Sequence, residues 1–457
     1  AMRLLTAVRG DRGAEAEPSE ARFTARAVAG AALEQVGVAA GQGVAGVGNL
    51  VFTLVTARVL APRSFAQMAA FSALYLLWNL PSTSLSATAA LDPTSVRRSR
   101  VRFGMLGAVF GMAMIAVSGF LAPVLGLPVG LVVALAAASP LAPVLALERG
   151  RLYGQQRHGL LVGSLVAEPV VRLTLGSVAL VELGALGGAV SVILGGVAAL
   201  EVATLRSRSP KRSRRPLGVR PWEWAAKARA GVGGAFLPEG SFSRSRSGRQ
   251  RHPEVTSVAT SAGGMWAALA FMLVGLLQYL SLLAANRLLS ASGAGEFAAV
   301  STVGGIAAFA TATVPLVLLP AASRGQRHAL SAAVSVTAIA GLVATAVAYA
   351  APGLLITELM GARYGSAAPL VGPYVVAMSL FGLVRVLVSH DCATGRSRSV
   401  TLLLIVAAAV QTAVLLAEHT AGGMAMATLV TMAALTIGQG LVAVGRAFRG
   451  RRAQHRL

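Results

Sequence analysis

The sequence is poor in charged residues, aromatic residues and cysteine. Charged residues make up 12% of the 457 residues and hydrophobic residues 55%, which is not the composition of a soluble globular protein. The mean hydropathy of +0.69 therefore predicts a membrane protein. The single cysteine, Cys392, excludes a disulfide within the chain. Aromatic residues, at 5%, leave few rings for stacking on sugars.

The motifs of several enzyme classes are also missing. The sequence has no Gly-Lys-Ser or Gly-Lys-Thr and hence no Walker phosphate-binding loop. Because His, Cys and acidic residues do not cluster at metal-ligand spacing, we expect neither a metal nor a cofactor. GQGVAG at 41–46 matches the dinucleotide pattern GxGxxG, but it lies inside an apolar run with no strand before it, and we interpret it as helix packing. A membrane enzyme acting on lipid-linked sugars would be expected to have acidic residues in its outside loops. In the loops predicted below to lie outside, Glu358 is the one clear carboxylate, and we therefore expect no enzymatic activity.

Twelve apolar runs are long enough to cross a membrane. A bilayer core about 30 Å thick requires roughly 20 helical residues, because backbone groups in lipid must bond within the chain. The runs lie near 36–57, 66–87, 103–124, 126–147, 159–181, 183–205, 262–285, 296–319, 329–350, 367–388, 400–417 and 422–444. We therefore predict an all-α polytopic membrane protein with about 12 transmembrane helices, six in each half.

The basic residues predict the orientation, since positive charge is retained on the cytoplasmic side of a membrane. All but six of the forty Lys and Arg residues fall in alternate connections, which we assign to the cytoplasm together with both termini. The predicted outside loops hold Arg58, Arg63, Arg287 and Arg363, and the last two, Arg172 and Arg385, lie within runs.

The same count defines five regions. They are a cytoplasmic N-terminal segment 1–35, a first six-helix bundle 36–205, a basic cytoplasmic linker 206–261, a second six-helix bundle 262–445 and a basic cytoplasmic tail 446–457. The linker contains 13 basic residues, and we expect it to contact anionic lipid headgroups. Its Arg-Ser runs resemble RNA-binding tracts, but we predict no nucleic-acid partner.

Ionisable residues within the runs are functional candidates, because they are costly in hydrocarbon. Arg172 lies about mid-span in the fifth run, and Glu168 precedes it by four residues, so the two share a helical face. Pro169 between them is expected to loosen the helix. Two interpretations remain open for this pair: a structural ion pair between helices, or a role in a cavity.

Other polar residues of the runs give weaker indications. Arg385 lies about one turn from the cytoplasmic end of its run, and we expect it to extend toward the headgroups. Asn49, Asn79 and Gln278 are more typical of hydrogen bonds between helices than of ligand contacts.

The two halves contain a repeated stretch. ARVLAPRSFAQMAAF at 57–71 follows the first run, and ANRLLSASGAGEFAAV at 285–300 follows the seventh. Each has an arginine just past the helix end, Arg58 or Arg287, and a phenylalanine opening the next helix, Phe65 or Phe297. This predicts a parallel repeat of six spans, as in transporters with a central site.

These stretches resemble the turns of a known family. The Arg-x-Leu turn followed by Phe resembles the first outside loop of the polysaccharide-transporter or Wzx-type flippases, in the multidrug/oligosaccharidyl-lipid/polysaccharide (MOP) exporter superfamily. LMGARYGSAAPLVGPYVVAMSLFGL at 359–383, with its Gly-x-x-Tyr turn, is similar to the segment before that family's tenth helix, and RLTLGSVALVELGALGGA from Arg172 to its fifth-to-sixth hairpin.

The resemblance implies two six-helix bundles in a V around a cationic cavity that opens alternately to each side of a bacterial cytoplasmic membrane. It implies membrane lipid and a sugar linked to polyprenyl pyrophosphate as ligands, with arginine binding the pyrophosphate. Carried over by position, the cavity candidates are Arg172, Glu168, Arg58, Arg287, Arg385, Asn79 and Gln278.

Two other functions stay open. A cation-coupled exporter of small molecules would use the same architecture, but it would be expected to have an unpaired carboxylate within the membrane. A membrane protein without transport activity could instead hold cell-envelope synthesis enzymes through its basic linker and tails.

Overall fold

The computed structural model describes residues 18–94, 96–204, 262–311, 314 and 329–454. In these residues the chain forms fifteen α-helices and one 3₁₀-helix. The first half contains α1 (Pro18–Val59), α2 (Pro62–Leu91), α3 (Val96–Ala116), α4 (Ser118–Leu125), α5 (Val129–Ala138), α6 (Leu141–Gly154), α7 (His158–Leu183) and α8 (Ala185–Thr204). The second contains α9 (Ala262–Leu288), α10 (Ala291–Ala310), α11 (Ala329–Ala350), α12 (Pro352–Met360), the 3₁₀-helix (Ala362–Ala367), α13 (Ala368–Ala393), α14 (Ser397–Ala417) and α15 (Ala421–Gln454).

The prediction of an all-α polytopic membrane protein with about twelve transmembrane helices is confirmed. Eleven helical segments of the described residues are long and apolar enough to span a bilayer. The predicted span 66–87 is not among these eleven segments; it forms α2, a helix of 30 residues. Helix α2 packs against helices of both halves.

Several boundaries differ from the prediction. The predicted third and fourth spans each consist of two consecutive helices, α3 with α4 and α5 with α6. The connection 351–366 was expected to be a loop and instead forms α12 and the 3₁₀-helix. Its sequence allows this, since Pro352 opens α12 at a position where its missing N–H is not needed. Gly361, with φ of 112°, ends the helix in a conformation that favours glycine.

Most helix packing occurs within each half. In the first half α7 packs on α1 and α8, and α2 packs on α6; in the second half α13 packs on α10, α11 and α15, and α9 packs on α14. The two halves meet mainly where α2 lies against α9 and α10. This packing places α2 in the centre of the molecule, at the boundary between the two bundles.

Glycines permit close approach between the helices of the first half, as their spacing predicts. A Cβ atom added at Gly107 would lie 2.7 Å from the Cα of Pro140, and one added at Gly111 would lie 2.5 Å from the carbonyl oxygen of Ala136. A Cβ atom added at Gly41 would lie 3.1 Å from Cγ1 of Val162, whereas one added at Gly37 would have no neighbour within 4 Å. The GxGxxG match at 41–46 lies within α1, as interpreted from the sequence.

Parts of the predicted regions fall outside the described residues. The whole linker 206–261 lies outside them, so its predicted contact with anionic lipid is untested. Helix α1 begins at Pro18, well before the predicted start of the first span at residue 36. The continuation of α10 toward residue 319 is likewise beyond the described part.

Candidate functional site

A cavity of about 450 Å³ lies between the two halves. Helices α1 and α2 of the first half and α9, α10 and α13 of the second half surround it. Its apolar lining includes Phe52, Phe65, Met68, Leu76, Leu80, Leu282, Phe309 and Met378. Its polar lining consists of Thr53, Thr56, Ser72, Gln278, Tyr279, Ser301, Thr302, Tyr374 and Arg385.

Arg385 carries the only formal charge among the lining residues that the structure describes. It lies 17 positions after the first residue of α13, which places it about 25 Å along that helix. Of the two interpretations that the sequence allowed for Arg385, extension to the headgroups and a place in the cavity, the structure has its side chain at the cavity wall. Since the lining around it holds no carboxylate, the cavity presents one positive charge in mainly apolar and hydroxyl-bearing surroundings.

Tyr374, on the same helix as Arg385, also lines the cavity. This side chain is fully buried, and its hydroxyl lies 3.3 Å from the hydroxyl of Ser281 on α9 and 3.4 Å from that of Ser301 on α10. Its ring packs edge-on against Phe297, with 5.4 Å between centroids. These contacts fix α9, α10 and α13 relative to one another, so that the second-half wall of the cavity is a packed unit.

Arg172 and Glu168 lie in a buried network of the first half and are not among the residues that line the cavity. The carboxylate of Glu168 accepts hydrogen bonds from Arg172 at 2.8 Å and from Arg149 at 3.0 Å. Arg172 also donates to the side-chain oxygen of Asn49 at 2.6 Å. The network therefore connects α1, α6 and α7. Of the two interpretations left open, the structure supports an ion pair between helices, and a direct substrate contact by Arg172 stays a prediction.

The residues next to Arg172 and Glu168 explain how α7 packs closely against α1 and α8. Pro169 contacts α1 at Gly48, where an added Cβ atom would lie 2.6 Å from the Pro169 Cβ. On α8, an added Cβ atom at Gly195 would lie 2.7 Å from the carbonyl oxygen of Glu168. A proline inside α7 removes one hydrogen-bond donor from the helix, and the glycines on both neighbours leave room for the altered surface.

Two charged residues of α6, Arg149 and Glu148, were not predicted from the sequence as members of ion pairs. Arg149 completes the Glu168 network, and Glu148, which is 5% exposed, accepts from Arg151 at 2.7 Å and from Arg100 at 3.3 Å. The i,i+3 spacing of Glu148 and Arg151 was the available signal. It was overlooked because these residues lie near the predicted end of a span, where charges are ordinary.

The remaining predicted site residues fall in different places. Gln278 lines the cavity, and its contact with a substrate stays a prediction. Asn79 donates to the carbonyl of Tyr75, one turn earlier on α2, at 2.7 Å, so this hydrogen bond lies within one helix and not between two helices as predicted; Asn79 is not among the residues that line the cavity. Arg58 and Arg287, both predicted as cavity candidates, lie in the last turns of α1 and α9 and are not among the residues that line the cavity. We name this end of the molecule, which carries the α1–α2 turn and is predicted to lie outside the cell, the outer end.

The fold is that of the MOP superfamily of transporters. The lipid II flippase MurJ in an inward closed conformation matches with a TM-score of 0.64 and 9% identity, over 90% of this chain and 87% of MurJ. An inward-facing multidrug resistance MATE family transporter matches with a TM-score of 0.54 and 14% identity, over 89% and 96% of the two chains. A MOP superfamily transporter from Pyrococcus furiosus matches with a TM-score of 0.57 and 14% identity, over 90% and 95%. At these identities the likeness defines the fold alone.

The sequence itself matches no family model and no curated protein. The similarity to Wzx-type flippases that the turn sequences indicate is therefore still a prediction.

Proposed function

We propose that the protein is a flippase that moves a polyprenyl-pyrophosphate-linked oligosaccharide, or a related glycolipid precursor, from the inner to the outer leaflet of a bacterial cytoplasmic membrane. The observation that carries this proposal is the position of Arg385 in a cavity between the two halves, with no carboxylate among the described lining residues. The guanidinium would bind an anionic headgroup through charge-assisted hydrogen bonds.

The lining suits an amphipathic substrate. Hydroxyl and amide groups such as Thr53, Ser72 and Gln278 can bond to sugar hydroxyls, while Phe309 and Met378 provide apolar surface. Few rings are available for stacking on sugars, so we expect the pyrophosphate and the lipid to dominate recognition. The fold supports a transport role, since it is shared with a lipid II flippase and with MATE transporters.

The cation-coupled exporter is the weaker alternative. Such a protein would be expected to bind a cation at an intramembrane carboxylate. Glu168 is the deep carboxylate of the first half, and both of its oxygens accept from arginines. A protein that only recruits envelope-synthesis enzymes would leave the Arg385 cavity without a use, although its predicted docking linker lies outside the described residues.

Lipid analysis of depleted cells tests the proposal. Cells depleted of the protein are rescued with wild type, Arg385→Gln or Arg287→Gln, and polyprenyl-linked sugars are extracted and measured by mass spectrometry. Arg287 is the matched control because it is exposed and lies outside the cavity. We expect a lipid-linked oligosaccharide to accumulate on depletion, and to clear with wild type and Arg287→Gln but not with Arg385→Gln. An unchanged lipid profile on depletion would contradict the proposal.

A further inference from the structure

Seven hydrogen bonds join the two halves at the outer end. In all seven the donor is a side chain and the acceptor is a backbone carbonyl. These carbonyls lie in or beside the helix ends and turns, where acceptors commonly lack a partner within the helix. These bonds can form only when the two halves are in contact at the outer end.

The first group of these bonds is reciprocal. Arg58 of the first half donates to the carbonyl of Glu358, and Arg363 of the second half donates back to the carbonyls of Arg58 at 2.5 Å and Leu60 at 2.9 Å. The buried hydroxyl of Tyr364 donates to the carbonyl of Ala57 at 3.3 Å. The end of α1 is therefore attached to the α12 and 3₁₀ segment by donors from both halves.

A second group lies at the end of α9. Arg63 at the start of α2 donates to the carbonyl of Asn286 at 2.7 Å. The Asn286 side chain donates to the carbonyls of Leu125 and Gly126, each at 3.1 Å. Gly126 has φ of 66°, and this conformation, which favours glycine, lets the α4–α5 turn approach α9 closely. An added Cβ atom there would lie 3.1 Å from the Cα of Arg287.

Arginine is well suited to donate hydrogen bonds to backbone carbonyls across the two halves. Its guanidinium is always charged and presents several donors in one plane, so that Arg363 can serve two carbonyls together. No carboxylate accepts in these seven bonds. The attachment therefore does not depend on the protonation of an acidic group, and it is broken only by separation of the halves.

We propose that Arg58 and Arg363 form a latch that holds the outer end closed and must release for the cavity to open toward the outside. This inference deepens the proposed function and rests on it, since a latch matters only if the halves move. The two arginines are positioning residues: they set which side of the membrane the cavity faces and do not contact the substrate.

The internal repeat supplies a control. Arg287 is the counterpart of Arg58 in the second half, yet its side chain is exposed and makes no hydrogen bond to any residue that the structure describes. The latch is therefore a property of particular contacts and not of every arginine at the outer end.

The latch can be tested by the rate at which a membrane-impermeant maleimide modifies a cysteine inside the cavity. Ser72 lines the cavity, and Ser72→Cys in a Cys392→Ser background places a single thiol there. The rate is measured in excess reagent on intact cells and on inside-out vesicles, so that each face is tested separately. When opening is much faster than modification, this rate is proportional to the population of the open form.

From the outer face we expect slow modification in the otherwise wild-type chain. Arg363→Ala is expected to raise that rate roughly tenfold, because it removes two charge-assisted bonds that exist only in the closed form. Arg287→Ala is expected to leave it unchanged. An unchanged rate for a folded Arg363→Ala protein, or equal acceleration by Arg287→Ala, would overturn the proposal.

Further variants keep the test decisive if Arg363→Ala does not reach the membrane. Arg58→Ala removes the bond in the opposite direction and is expected to have the same effect. The assay requires no substrate, so the two proposals can fail separately. Faster modification in the latch variants, together with an unchanged lipid profile in depleted cells, would support the latch and reject the flippase. Lipid accumulation in depleted cells, without faster modification in the latch variants, would reject the latch alone.

Discussion

Arg172 and Glu168 form an ion pair of 2.8 Å within one turn of α7, and the other oxygen of Glu168 accepts from Arg149 on α6. One carboxylate therefore balances two arginines within the bundle. The side chains of Glu168 and Arg172 are 16% and 10% exposed, so neither charge has ready access to water. Removing one member of such a group leaves the others buried without compensation.

Glu168→Gln is expected to destabilise the protein by about 3–5 kcal/mol, because Arg172, which is buried, and Arg149, whose side chain is 21% exposed, both lose their counter-charge. The measurement is thermal unfolding of the purified protein in detergent. Glu182→Gln is the control, since Glu182 is an exposed residue near the end of the same helix. Equal stability of the two variants would show that the network is solvated and has little structural role.

Arg172→Met is expected to cost less stability than Glu168→Gln. In this variant Glu168 keeps the bond from Arg149, and methionine fills much of the vacated space. If the network is structural, the folded fraction of Arg172→Met should still clear the accumulated lipid in the depletion assay. Complete loss of clearance at normal folding and expression would instead assign Arg172 to the substrate path.

The positions of Arg172 and Arg385 show where sequence reasoning reaches its limit. Run length and arginine distribution are one-dimensional properties, and they predicted the helices, because lipid imposes the same length on each span. Which face of a helix meets a cavity depends on how helices from distant parts of the chain pack together. Its place near the end of α13 favoured the headgroup region over the cavity for Arg385, but the neighbouring α9 and α10 make that end part of the cavity wall.

The hydrogen-bond partners of Arg149 and Arg363 were not predicted, for a related reason. Arg149 lies where a span ends, and its partner Glu168 is 19 residues away on another helix. Arg363 was recognised as an outside arginine, but its acceptors are carbonyls about 300 residues earlier. Backbone carbonyls carry no sequence signal, so the reciprocal bonds with the Arg58 region became visible only in the structure.

Arg385→Gln is expected to abolish most lipid clearance while changing unfolding by less than about 1 kcal/mol. No carboxylate among the described lining residues depends on this charge, so its removal leaves no buried partner uncompensated. Arg385→Lys keeps the charge but loses the planar fork, and intermediate clearance is expected. The readouts are lipid mass spectrometry and thermal unfolding on the same variants. A large loss of stability in Arg385→Gln would assign this residue to structure.

Helix packing in the first half provides the last test. Gly111→Ala is expected to destabilise the protein by about 1–3 kcal/mol, because the added methyl group would lie 2.5 Å from the carbonyl oxygen of Ala136 and must push α3 away from α5. Gly43→Ala is the matched control: Gly43 lies inside α1 with open space around it, and alanine should be neutral or stabilising by up to about 1 kcal/mol. The measurement is thermal unfolding of both variants. The packing assigned to Gly111 would be wrong if the two substitutions had the same effect, since both make the same change in helix propensity and differ only in the neighbour that the new methyl group meets.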